Sequence, residues 1–420
     1  MTEVLTPSQL DIARFVRSGD TIVLGQGTAE PSTLLDALID QRQSLGQVNV
    51  FVGGVSYSER LQPQHADHLN FLSYGAVGQL RKLAAAGVLN ILPCHLSHLP
   101  KYFAEGLLRV DVLFVQVSPP NEEGQYSLGL ADDYLQAAIS AARIVVAEVN
   151  EQVPWTYCDR PLTSDRIDIA VHTSRPPLEV EASSASDVER HIAENVCRYI
   201  DDGSVLQVGI GGVPDAVLDL VKDRRDLGIH SGLIGDKVAE LMQLGVISNA
   251  RKSIDPGVSV TGVLFGTRRL YKFAHRNEAI RLRAITYTHA PGTVCQLKGL
   301  VAINSAVEVD LTGQVNAETV NQRFVGAVGG QVDFVRASQL SPGGRSIIAL
   351  PSMARDRSRI VYSLAGPVTT ARSDADVVAT EHGVAELRGQ PLAERVRRMI
   401  AISDPKVREQ LEASCKQASP

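Results

Sequence analysis

Two rhythms of hydrophobic positions alternate along the chain. LTPSQLDIARFVRSGD puts Ile12, Phe15 and Val16 on one helical face, with Thr6 as cap, Pro7 at the first helical position and Ser18–Gly19 as the stop. TIVLGQG then reads as a short apolar strand running into a glycine loop, and EPSTLLDALID resumes helical spacing. The same succession returns later. Ser186 with Glu189 forms a capping box, Val188, Ile192 and Tyr199 share a face, Gly203 stops the helix, and SVLQVGIGG leads into PDAVLDLVKD. Gly19 to Gly25 aligns with Gly203 to Gly209, and Gly27 then Pro31 with Gly211 then Pro214, one residue shorter. A duplication so widely spaced is no solenoid and predicts two similar domains.

Between the two copies, TSRPPLEVEASSAS (173–186) has no apolar periodicity and places the boundary, giving domains 1–180 and 181–420. Apolar runs without polar alternation occur in both halves: VNVFV, LNIL, DVLFVQV, RIVVAEV and IDIAV first, then SVLQVG, LGIHS, VSVTGVLF, SIIAL, RIVYSL and DVVAT. Such runs are strands buried on both faces, so each half is expected to be an α/β domain, an open, mostly parallel sheet flanked by helices. Ligands of such sheets bind beyond the carboxyl ends of the strands, where both glycine loops fall.

Composition narrows the chemistry. The 420 residues are 44% hydrophobic, with 41 Lys plus Arg against 47 Asp plus Glu and no block of like charge, which argues against nucleic acid but leaves small anions open. Five cysteines without a CxxC pair fit a reducing compartment. The first thirty residues lack a leader pattern and no apolar run approaches the roughly 20 residues of a membrane span, so a cytoplasmic, soluble protein with no membrane partner is expected.

The loops GQGTAEP (Gly25, Gly27) and GIGGVP (Gly209, Ile210, Gly211, Gly212) set backbone amides at a strand end and a helix start, suited to a phosphate, carboxylate or oxyanion, although a tight turn needs glycine equally. Neither matches GxGxxG or GxxxxGK[ST], so no nicotinamide cofactor or phosphate loop is expected. A third cluster, GAVGGQVDF, carries Gly329, Gly330 and Gln331, and serves a close ligand approach or a bulge equally well. Cys94, His95 and His98 in LPCHLSHLP lack carboxylate partners and read as loop packing, so no metal is expected. His230 and Ser231 end the strand LGIHS, and Glu381 and His382 end DVVAT, where catalytic groups and structural ones both occur. No GxSxG elbow is present.

The ordered set EVNEQVPWT, DGSVLQVGIGGVPDAV, LGIHS, INSAVEVDLTGQVNAE, GAVGGQVDFVRAS, GGRSIIALPS and TEHGVAELRG resembles the acetyl-CoA hydrolase/transferase family, which includes 4-hydroxybutyrate, butyrate and succinyl-CoA:acetate CoA-transferases. The resemblance implies two CoA-transferase domains, an acyl-CoA thioester bound in the cleft between them, a homodimer and no permanently bound cofactor. It implies a glutamate that attacks the thioester and passes through an anhydride and a glutamyl-CoA thioester to a second carboxylate. Gly209 to Gly212 and Gly329 with Gly330 would supply the oxyanion amides. Family members read His-Ser-Glu-Met with an Asp three residues on. Here LGIHSGLIGDKV gives His230, Ser231, Gly232, Leu233 and Asp236, so Gly232 stands at the nucleophile's position. Three readings follow. Glu381, Glu122, Glu123 or Asp236 replaces the nucleophile; or water is added across a carbon–carbon bond of a cyclic β-keto acyl-CoA, with His230 or a glutamate as base, as in the superfamily's steroid ring-cleaving hydrolase; or the chain binds acyl-CoA without turnover. The expected partners are therefore acyl-CoA and a small carboxylate or water.

Overall fold

The computed structural model describes residues 2–182 and 184–417. The chain forms two compact units, Met1–Glu181 with Val260–Thr288, and Ala182–Ser259 with His289–Pro420.

The first unit is built on β1 (Glu3–Leu5), β2 (Thr21–Leu24), β3 (Val48–Phe51), β4 (Leu69–Ser73), β5 (Leu89–Ile91), β6 (Val112–Val117), β7 (Ile144–Asn150) and β8 (Ile169–Thr173). Their order is β1-β8-β7-β6-β2-β3-β4-β5, with every pairing parallel. All six residues of β6 are buried, the mark of a strand covered on both faces. The second unit contains β9 (Val205–Val208), β10 (Gly228–Ile234), β11 (Leu300–Asn304), β12 (Arg345–Ala349), β13 (Val377–Thr380) and β14 (Gly383–Glu386). They run β10-β9-β11-β12-β13-β14, parallel except for the closing β13–β14 hairpin.

The two units repeat one topology. β2 lies between β3, the next strand, and β6, from which the sheet continues in chain order; β9 lies likewise between β10 and β11. Even the turns match. Gly19 (φ +84°) and Gly203 (φ +82°) take the left-handed conformation that favours glycine, and their N–H groups donate to Gln47 (2.7 Å) and Arg225 (2.9 Å) carbonyls. Each glycine loop thus follows the strand at which the sheet order reverses, the crevice position of open α/β sheets.

Several expected elements differ. The opening segment is not one helix but two single 3-10 turns, Pro7–Gln9 and Ile12–Arg14, separated by extended backbone. Asp11 causes the break: its carboxylate accepts from the Ala13 amide at 3.1 Å and starts a new turn in place of continuing the old one. Ile12, Phe15 and Val16 are buried all the same, so the apolar pattern recorded burial correctly. The Ser186–Glu189 capping box is present, with the Ser186 N–H donating to Glu189 at 2.8 Å and the Glu189 N–H to Ser186 Oγ at 3.3 Å. Its helix, α1 (Asp187–Cys197), buries Ile192, Ala193, Asn195 and Val196, whereas Val188 is exposed and Tyr199 lies past the end. RIVYSL yields only Ile360–Val361, in a small sheet with Glu308–Asp310 and Val315–Asn316. Replacing Ser186 by Ala is expected to lower stability by about 1 kcal/mol, the usual worth of such a cap, read as a urea midpoint shift at unchanged m-value.

Candidate active site

In the second unit the β9–β10 ladder pairs Val205 with Gly228 and Leu206 with Ile229. Ser231 extends this contact by side chain: its Oγ donates to the Val208 carbonyl (2.9 Å) and accepts from the Val208 N–H (3.3 Å). Ser231 therefore ties two strand ends together. His230, one residue earlier, is fully buried.

Gly232 is half-buried, and the room beside it is taken. An ideal Cβ at this position would stand 3.0 Å from Cε1 and 3.1 Å from Nε2 of His289. The same ring lies against Gly330, where a Cβ would come within 2.4 Å of Nε2 and 2.6 Å of Cδ2. Phe334 closes a third side, ring centroids 4.7 Å apart at 56°. Two glycines and a phenyl ring thus form a cradle for one imidazole. Burial and the neighbouring His230 pull the His289 pKa down to about 3, so the ring is uncharged at neutral pH.

Gly330 caps α2 (Gln331–Leu340), and Gly329 (φ +55°) has open space where a side chain would lie. Gln331 is committed to structure, donating to the Ser305 carbonyl (2.7 Å) and accepting from Thr370 (3.1 Å). In the second glycine loop, Gly209 and Gly211 (φ +119°) face open space and Ile210 is exposed, so backbone amides there are approachable. Gly212 differs: a Cβ would meet the Glu189 carboxylate at 2.2 Å, a packing reason for glycine.

The first glycine loop, in the first unit, is filled. A Cβ on Gly25 would lie 2.6 Å from the Ala29 carbonyl, and one on Gly27 2.6 Å from the Phe265 ring. Between them Gln26 accepts from the Gly54 N–H (3.0 Å) and Tyr74 hydroxyl (2.8 Å) and donates to Asp133 (2.8 Å). The two copies of the loop therefore share topology but not openness.

The carboxylates expected as substitutes lie on separate elements. Glu381, just past β13, is pinned by Ser352, whose N–H and Oγ donate to its two oxygens at 2.8 and 2.7 Å, with His382 Nε2 at 3.7 Å. Asp236 opens the helix Asp236–Gln243. Glu122 and Glu123 lie exposed in a turn of the first unit. The His95 and His98 rings pack edge to face at 5.0 Å, and among the described residues no group of three or more His, Cys, Asp or Glu is disposed to hold a metal ion. Among the same residues no helix is long and apolar enough to cross a membrane.

Sequence reasoning missed His289 and Phe334. Nothing local marks His289 in THAP; the signal was the pair of absent side chains at 232 and 330, which only the fold brings to one ring.

Family comparison extends this geometry. Residues 4–177 match the acetyl-CoA hydrolase/transferase N-terminal domain and residues 266–415 its C-terminal domain. The chain belongs to the acetyl-CoA hydrolase/transferase family. The 4-hydroxybutyrate coenzyme A transferase of Clostridium kluyveri is 38% identical over 404 residues, covering 94% of each chain. Among solved structures, RipA of Yersinia pestis (31% identity, 99% and 97% coverage) superposes with a TM-score of 0.93, and 4-hydroxybutyrate CoA-transferase of Porphyromonas gingivalis (33% identity, 99% and 98% coverage) with 0.85. Membership makes the chain an enzyme of acyl-CoA thioesters, of the CoA-transferase and acetyl-CoA hydrolase class.

Proposed function

We propose that this member of the family hydrolyses an acyl-CoA thioester, with water in place of an acceptor carboxylate. The observation that supports the reading is the pairing of Gly232 with His289: Gly232 stands where the resemblance puts the family's nucleophile, and an imidazole fills the room that a side chain there would need. An acyl-glutamyl anhydride requires a carboxylate there. Without it, the remaining elements still suit direct addition of water. In this reading the amides around Gly209, Gly211 and Gly329, where the space beside the backbone is open, stabilise a tetrahedral oxyanion, each good donor being worth on the order of 3 kcal/mol of barrier. Glu381, held in one orientation by Ser352, supplies the base. Water's oxygen bonds to the thioester carbon as one of its protons passes to the base, the carbon–sulfur bond breaks, and the base hands that proton to the departing thiolate, leaving a carboxylic acid and the CoA thiol. The same reading carries a homodimer, read by sedimentation.

The test is thiol detection with mass spectrometry on the purified protein and a panel of acyl-CoAs, cyclic β-keto acyl-CoAs included, with and without acetate. Acetate-independent thiol release is expected. Acetyl-CoA formed only with acetate would establish exchange through another nucleophile, and gain of one water with the thioester intact would establish carbon–carbon hydrolysis. Tight binding without turnover would mark a binder.

A further inference from the structure

We propose that two short hairpins of the second unit hold the phosphates of the CoA nucleotide, with Arg323, Arg355 and Arg357 as their ligands. The inference rests on the thioester placement above and goes beyond it by naming where the far end of the substrate lies.

Thr319–Val320 pairs with Arg323–Phe324, and Met353–Ala354 with Arg357–Ser358, each antiparallel across a two-residue turn. Both hairpins are rooted at the groups assigned to the chemistry. The first runs on to the open backbone at Gly329, and the second begins next to Ser352, whose N–H and Oγ hold Glu381. The Arg359 N–H closes the base of the second by donating to the Ser352 carbonyl at 2.8 Å. At their other ends the hairpins are fastened together, Arg357 Nη1 donating to Asn321 Oδ1 at 2.6 Å. The two turns therefore present one surface, and Arg355 is separated from Ser352 by at most about 10 Å of chain. A thioester held at the base of the hairpins must send its pantetheine arm and phosphates outward, and this surface adjoins both Gly329 and Glu381.

Charge selects the ligand. Arg323, Arg355 and Arg357 are exposed, and among the described residues none of the three forms an ion pair. Asp356 is the sole acid within 353–359 and there is none within 319–330, although the chain as a whole carries a net charge of −6. Other exposed arginines are balanced, Arg14 by Glu3 and Arg397 by Glu394. Three guanidiniums without counter-charge on two joined turns match phosphate, whose oxygens accept paired N–H bonds from the planar guanidinium fork. Val320, the cross-strand partner of Arg323, is 40% exposed on the same face and offers the adenine an apolar contact beside the cations.

The experiment measures binding on the full-length protein and needs no turnover. CoA is titrated by calorimetry, and pantetheine, which carries no phosphate, by NMR, into wild type, Arg323→Gln, Arg355→Gln, Arg357→Gln and the triple variant, each in low and high KCl. Every single exchange is expected to weaken CoA binding about 10-fold and the triple at least about 100-fold, while the pantetheine Kd stays put. The rise of the CoA Kd with KCl should flatten with each arginine removed. Asn321→Ala cuts the tie between the turns but keeps the charge, so it should cost less than Arg357→Gln. Unchanged CoA affinity in a folded triple variant, equal losses for CoA and pantetheine, or a wild-type Kd insensitive to KCl would each overturn the assignment. Loss of CoA binding in the triple variant of a protein whose wild type releases no thiol from any acyl-CoA would instead sink the hydrolase reading and keep the phosphate site.

Discussion

Placing glutamate at position 232 alone is expected to give a folded protein with no acetate-dependent CoA exchange, and Gly232→Glu combined with His289→Gly is expected to acquire it. The reason is steric before it is chemical. A Cβ at 232 already meets the His289 ring at 3.0 Å, tighter than side chains normally tolerate, and the four further heavy atoms of a glutamate must extend past it. The imidazole has little freedom to yield, since Gly330 lies against its Nε2 side and the Phe334 ring packs on it at a tilt of 56°, centroids 4.7 Å apart. The single variant must therefore push the carboxylate aside, and a nucleophile misplaced by about 1 Å loses on the order of 100-fold in rate. It should also be destabilised by about 1–3 kcal/mol, the usual result of overpacking a filled site. Removing the imidazole as well opens the volume on the side where the carboxylate must lie, and the glycine amides that would stabilise its tetrahedral intermediates are untouched. The check is transfer of CoA from a short acyl donor to ¹³C-acetate, followed by mass spectrometry. Exchange by the single variant at the rate of the double would show that the ring moves freely, and absence from both would mean that the pocket differs at other positions too.

How the sequence encodes this site explains which parts were legible in it. Strands such as DVLFVQV and RIVVAEV announced themselves because burial on both faces leaves an unbroken apolar run, and the Ser186–Glu189 box because capping is local hydrogen bonding between residues three apart. The opening segment misled for an equally local reason: its apolar spacing was helical, yet Asp11 competes with the helix for backbone amides. The repeat of topology was readable from glycines alone, Gly19 and Gly203 being required by their left-handed φ. What could not be read was why each remaining glycine is a glycine. Gly25 and Gly27 make room for Ala29 and Phe265, Gly212 for Glu189, Gly232 and Gly330 for His289, while Gly209 and Gly329 leave space open. All look alike in one dimension, because the atom that forbids a side chain comes from elsewhere in the chain. For the same reason the hydrogen bonds that Ser231 and Gln331 make to backbone carbonyls could not be read from the sequence.

The first unit carries a second large expectation, a loss of stability as pH rises through weakly acidic values. Asp133 is almost fully buried beside the filled glycine loop, accepting from Gln26 Nε2 at 2.8 Å and from the Tyr134 N–H at 2.5 Å. These bonds favour the carboxylate, but burial outweighs them and pushes its pKa up from 3.8 to about 6. Asp132, its neighbour, is raised well above the carboxylate range by burial and by Asp133, and burial raises Glu30 and Glu148 in the same unit. The sign follows from linkage. The folded pKa lies above the unfolded one, so between about pH 4 and pH 6 the folded state retains a proton that the unfolded chain has released, and folding is progressively disfavoured as pH rises across that window. For Asp133 alone the shift from 3.8 to about 6 corresponds to about 3 kcal/mol, complete above pH 6. Urea denaturation of wild type and Asp133→Asn at pH 4.5, 5.5, 6.5 and 7.5 reads it. The asparagine costs a constant amount, because its amide cannot accept from both donors, yet its stability should fall less steeply with pH than that of wild type. Parallel pH curves for the two proteins would show that Asp133 does not hold its proton on folding, and would remove the polar closure of the first glycine loop as the source of the pH dependence.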